Sequence, residues 1–174
     1  MKKKNGKAFA SCAVAILVVM TGLLLTLSPP PVQAAGDPIV VIVNSANPVD
    51  NLTMGELKKL FLGDRSRWDT GKAVAPVMLT PGPPERTAFL KIVCGMNDAD
   101  LAKYFLQAAF TGKSATPPKE VSSVSAVKAF VGGSPGAIGF VKALDFHGDG
   151  SEGAIKAVKV DGAAAGDAGY KLKM

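Results

Sequence analysis

The stretch Asp37-Pro-Ile-Val-Val-Ile-Val43 carries five successive β-branched residues with no polar alternation. A strand with one wet face alternates apolar and polar side chains, so this run predicts a strand buried on both faces. A sheet covered on both sides needs helices, and the sequence beyond supplies them. Asn44 to Asn51 has loop composition, and Thr53-Met-Gly-Glu56 has the form of a capping box. Met54, Leu57, Leu60 and Phe61 then recur at helical spacing, with Gly63 as the stop. Asp64 to Gly71 is a polar connection bearing the only tryptophan, Trp68, whose simplest role is to clamp the loop onto the core. Ala75-Pro-Val-Met-Leu79 predicts a second short strand.

Thr80-Pro-Gly-Pro-Pro-Glu-Arg-Thr-Ala-Phe89 follows, a proline-rich turn that opens a helix ending at Gly95. Asn97 or Asp98 caps another helix, with Leu101, Tyr104, Phe105, Ala108 and Ala109 as its apolar face. Gly112 to Pro118 is expected to be a loop. Ser122 or Ser123 starts a short helix through Val127 and Phe130 to Gly133. A tight turn at Ser134-Pro-Gly136 then enters a strand reaching Val141, and Ile155 to Val160 predicts a final one. Strands alternating with helices give an α/β class with a largely parallel or mixed sheet flanked by helices.

The first 34 residues have the layout of a secretory signal. Lys2, Lys3, Lys4 and Lys7 precede an apolar run from Ala13 to Leu27, and Val32 and Ala34 are small residues placed for cleavage. The run is shorter than the ~20 residues of a spanning helix, which favours cleavage over anchoring. Cys12 precedes the apolar run, which argues against lipoprotein processing. Residues 35–174 are then one exported domain, periplasmic or secreted. That domain carries 16 basic against 14 acidic side chains, because the signal contributes four lysines and no acid. No basic stripe suggests nucleic acid as a partner. Cys94 is the only cysteine left, and among apolar neighbours it is expected to be a buried side chain.

Catalytic material is sparse. His147, the single histidine, lies in the turn Asp145-Phe-His-Gly-Asp-Gly-Ser151, which lacks the ligand spacing of a calcium loop. No zinc, phosphate-loop or nucleophile-elbow motif occurs. The expectation is a protein that is not an enzyme and holds no metal or cofactor.

Four segments together carry a resemblance. Asn47-Pro-Val-Asp-Asn-Leu-Thr53, extending to Trp68, is followed by the helix holding Phe89. Ala109-Phe-Thr-Gly112 comes next, and then Val131-Gly-Gly-Ser-Pro-Gly-Ala-Ile-Gly-Phe-Val141. Tyr170-Lys-Leu172 closes the pattern. The chain is similar in these to the phosphate-type periplasmic substrate-binding proteins of ABC transporters, and it resembles the second lobe of their type II clamshell. The resemblance implies a small anion such as phosphate as ligand and an ABC permease as partner. Its anion loop, an Arg, three residues and then Ser-Gly-Thr, falls here on Leu79 and on Pro83, Pro84 and Glu85. Prolines have no N–H to donate, and Glu85 puts a like charge where the anion would sit. Arg86 matches an Arg that often follows that motif, and Thr87 stands beside it.

The candidate ligand residues are therefore Arg86, Thr87 and Thr80 around the helix start. Asn44, Ser45 and Ser134 are expected from neighbouring loops at the same sheet edge. The resulting expectation is weak anion binding, alone or in the cleft of a homodimer. The alternative is a protein-interaction or sensor-accessory module of the envelope, docking on a receptor, that keeps the lobe and has lost the phosphate site.

Overall fold

The computed structural model describes residues 36–113, 115–147 and 153–174. The expected export signal, residues 1–34, lies outside them, as do residues 148–152 of the Gly- and Asp-rich turn. The strand at the start is β1, Ile39–Asn44, and every residue of it is buried. It sits inside a six-stranded mixed sheet with β2, Asn51–Leu52; β3, Ala75–Leu79; β4, Lys119–Val121; β5, Ala137–Lys142; and β6, Ile155–Val160. The order is β2-β6-β1-β5-β3-β4. β1 runs antiparallel to both neighbours, pairing Ile39 with Lys142 and Val41 with Val158. β3 is parallel to β4 and β5.

Alternate β1 residues enter two cores. Ile39, Val41 and Val43 join the larger one, with residues of α1, Met54–Phe61; α2, Pro84–Phe89; and α3, Asp98–Phe110. Val40 and Ile42 face the other side, against Val127 and Val131 of α4, Val124–Gly133. In the larger core Phe89 stacks on Phe140 at 3.9 Å between ring centroids, and Phe61 meets Phe89 edge-on at 4.7 Å. Such aromatic pairs contribute about 0.5–1.5 kcal/mol beyond the area they bury. On the α4 side Gly139 lets helix and sheet approach, since a Cβ there would meet Val127 and Val77 at 3.0 Å.

Local signals account for most boundaries. The capping box of α1 is formed: Thr53 Oγ1 accepts from the Glu56 N–H at 3.2 Å, and Glu56 Oε2 accepts from the Thr53 N–H at 2.8 Å. That backbone bond is the main reason the Glu56 carboxyl lies below its usual range. α2 passes into a wider π-type turn over Leu90–Cys94, closed by Gly95 in the left-handed region at φ 72°. Trp68 clamps its loop as expected, its indole N–H donating to the Gly136 carbonyl at 2.9 Å. The Gly112–Pro118 loop leads into β4, and this short edge strand escapes the sequence pattern because Lys119-Glu-Val121 has no apolar run. The tail is held by Tyr170, whose hydroxyl donates to the Ile39 carbonyl at 2.5 Å, and by buried Leu172.

Two glycines in different surroundings give a test of packing. A Cβ on Gly136 would stand 2.0 Å from the Ala73 carbonyl oxygen, whereas one on Gly55 meets nothing within 4 Å. Gly136→Ala is expected to lower stability by about 1–3 kcal/mol in urea titration, and Gly55→Ala in α1 to raise it by up to about 1 kcal/mol.

Alkaline pH provides a second test. Burial pushes the Cys94 thiol up to about 11 and the Tyr170 hydroxyl above its usual value. Both contributions are complete below the unfolded pKa and fade as pH rises through the folded one. For Cys94 the window is roughly 9 to 11, and its share is about 2–3 kcal/mol. Urea midpoints should fall across that range, and Cys94→Ala should flatten the slope.

Candidate functional site

β1 is antiparallel to β5, while β3 is parallel to it, so the loops after β1 and β3 leave from opposite ends of the sheet. The six expected ligand residues therefore do not converge. Asn44, Ser45 and Ser134 lie at the end where β5 begins. Thr80, Arg86 and Thr87 lie at the end where β5 finishes, near Lys142. The two groups are separated by the length of β5, about 17–20 Å for six residues. The shared sheet edge expected from the sequence is thus corrected by the direction of β1, which composition does not encode.

Each residue has its own local role. Asn44 is buried, and its amide donates to the Val131 and Gly132 carbonyls at 2.9 and 2.7 Å. Those carbonyls lie in the last turn of α4, where the Ser134 N–H also reaches Val131 at 3.4 Å, so Asn44 serves as a side-chain cap. Its Oδ1 accepts from the Ala46 N–H at 2.9 Å. Ser45 is exposed and Ser134 half-buried in the turn before β5. Thr80 is exposed, and its N–H donates to the Val121 carbonyl at 2.8 Å, lengthening the β3–β4 ladder.

Arg86 is the residue whose surroundings decide the chemistry. It is 2 % exposed, on the first turn of α2. Its Nε donates to Asp98 Oδ1 at 2.6 Å, and its Nη1 lies 2.8 Å from Glu120 Oε1 and donates to the Leu79 carbonyl. A guanidinium offers five N–H groups in a planar fork, and carboxylates already stand against two of its nitrogens, Nε and Nη1. The local sum is one positive against two negative charges. The sequence marks Asp98 only as an alternative cap and gives Glu120 no role. Asp98 is the first residue of α3 because Asn97 takes the cap, accepting from the Asp100 N–H at 2.9 Å. Glu120 is brought in by the unforeseen β4.

The beginning of α2 offers little to an anion. Pro83 and Pro84 provide no N–H, and no side chain caps the helix. Glu85 is 4 % exposed, and its Oε2 makes no hydrogen bond; the Lys142 ammonium stands 3.4 Å from it as an ion pair. Thr87 is exposed and borders a separate shallow depression with Lys91, Asn97 and Asp100. The deeper cleft beside Arg86, about 500 Å³, is walled by Met78, Leu101 and Phe105 with Asp98 and Glu120 at its rim.

Solved structures that this chain matches include substrate-binding proteins. A candidate phosphate ABC transporter substrate-binding protein from Clostridium perfringens, with phosphate bound, matches at TM-score 0.59 and 25% identity over 75% of this chain and 48% of its own. An ABC-type phosphate transport receptor from Vibrio cholerae matches at TM-score 0.59 and 22% identity, over 75% of this chain and 49% of its own. The chain is built like part of a phosphate-type substrate-binding protein. A possible phosphate-binding protein from Planctomyces limnophilus agrees at TM-score 0.54, 22% identity and coverage of 74% and 43%. The chain thus spans about half the length of the solved proteins it matches. No protein-family profile matches it. Among the described residues no helix is long and apolar enough to cross a membrane.

The Arg86 cluster has a direct energetic test. Removing one carboxylate leaves a buried cation short of a partner, which costs about 1–3 kcal/mol. Asp98→Asn and Glu120→Gln should each lower the urea midpoint accordingly, and Arg86→Ala by more, since it strands both acids and the Leu79 carbonyl.

Proposed function

We propose that the chain is an exported, non-enzymatic lobe of the substrate-binding type that acts by contact with an envelope protein, and not by tight capture of phosphate. The observation that carries this reading is the closure of Arg86 by Asp98 and Glu120. A phosphate approaching that guanidinium meets two carboxylates of its own sign, and like charges brought together cost several kcal/mol. Glu85 adds a third carboxylate at the start of the same helix. Export rests on the basic, apolar and small-residue order of residues 1–34, and absence of catalysis on the lack of catalytic motifs in the sequence.

A second reading, weak binding of a phosphate-type anion and delivery to an ABC permease, has the phosphate bound to the Clostridium perfringens protein in its favour. The two readings part in calorimetry. Titration of phosphate and of sulfate to about 1 mM should give no binding heat for the wild-type chain. The pair Asp98→Asn and Glu120→Gln, which leaves the guanidinium uncompensated, should gain measurable anion affinity. Micromolar phosphate binding by the wild-type chain would establish the second reading instead.

A further inference from the structure

α3 presents an outer face that nothing in the described fold covers. Leu106 is 59 % exposed and Phe110 82 %, the largest exposure of any big apolar side chain among the described residues. Ala99, Ala102 and Ala109 are exposed with them. The spacing 99, 102, 106, 109 and 110 sets all five on one stripe of the helix. Beside this stripe, and sharing Ala102 with it, opens the cleft walled by Met78, Leu101, Phe105 and Pro117. One helix thus carries both a protruding apolar ring and an apolar recess to receive one. A surface that is its own complement is what a two-fold interface requires, because each copy must offer both halves of the contact.

We propose that two copies of this chain pair through antiparallel α3 helices, each seating its Phe110 in the other's cleft. The occupant named here deepens the interaction reading and rests on it. An antiparallel register with Ala102 opposite Leu106 also sets Ala99 opposite Ala109, so small side chains face each other at the ends. The same register places Phe110 opposite Asp98, at the mouth of the cleft. Charge selects the direction. Asp98 and Asp100 lie at the N-terminal end of α3, and Lys113 lies just past the C-terminal end, bonded to Asp64 at 2.6 Å and to the Tyr104 hydroxyl at 2.8 Å. Antiparallel helices keep the acids of the two copies apart, whereas parallel helices set them like on like; Asp98 and Lys113 keep their own partners, Arg86 and Asp64, within each copy.

Sedimentation equilibrium of the purified full chain tests this, with circular dichroism to verify folding. The wild type should form dimers below about 100 µM, and Phe110→Glu should weaken them at least about tenfold. Leu106→Lys should do the same, giving an independent measure if one variant folds poorly. Leu144→Glu changes another exposed apolar residue, 76 % exposed and outside α3, and should leave the dimer intact. A wild type that stays monomeric to that concentration overturns the proposal, and so does association indifferent to both α3 variants. A monomer that binds no phosphate removes the dimer alone. Tight phosphate binding removes the underlying interaction reading whether or not the chain pairs.

Discussion

The burial of β1 on both faces is the constraint on which the rest depends. Its six residues have no wet side, so each face must be roofed by other parts of the chain. α1, α2, the π-type turn that follows it and α3 roof one face through Leu57, Phe61, Phe89, Leu90 and Leu101, and α4 roofs the other through Val127 and Val131. At ~25 cal/mol per Å² of apolar surface removed from water, such double coverage is the dominant favourable term. Backbone needs follow from it. The Ile39 carbonyl is satisfied by the Tyr170 hydroxyl and the Ile39 N–H by the Leu172 carbonyl, which draws the tail onto the sheet.

The same strand decides what the surface loops can do. Because β1 alone runs against β5, β6 and β3, its outgoing loop is carried to the end where β3 and β5 begin. Polar residues that look like one set along the chain become two sets with separate tasks. Asn44 closes the end of α4, and Ser134 sits in the turn that starts β5. At the far end the β3–α2 connection brings Arg86 under the cover of β4 and α3. There its charge is met within the fold before any ligand arrives.

How far the sequence foretold this depends on the range of each signal. Elements defined by local chemistry were legible: the capping box at Thr53 and Glu56, the stops at Gly63 and Gly95, the apolar run of β1, the clamp at Trp68. The resemblance carried by Asn47 to Trp68 and by Pro135 to Val141 agrees with the architecture of the solved substrate-binding proteins. Long-range facts were not legible. Strand direction is set by packing, so a periodicity argument does not separate the two ends of the sheet. β4 has three residues, two of them charged, and it is a strand only because β3 offers it a partner. Without β4 there was no reason to join Glu120 to Arg86, which are 34 positions apart in the chain.

Glu85 and Arg86 together show why a position for an anion is not itself a site for one. A helix start attracts negative charge through free N–H groups and an uncompensated dipole. Here the prolines remove N–H groups, and a carboxylate built into the chain already stands at that start, balanced by Lys142 at 3.4 Å. Arg86 is likewise satisfied, by Asp98 and Glu120. Adding an outside anion would require displacing one of these internal carboxylates or tolerating its repulsion. In the partly buried setting of these groups that term is several-fold larger than between exposed charges. A binding protein leaves its cations short of partners until the ligand comes; here Arg86 already has Asp98 and Glu120 as partners within the fold, so the free energy of those contacts goes into stability.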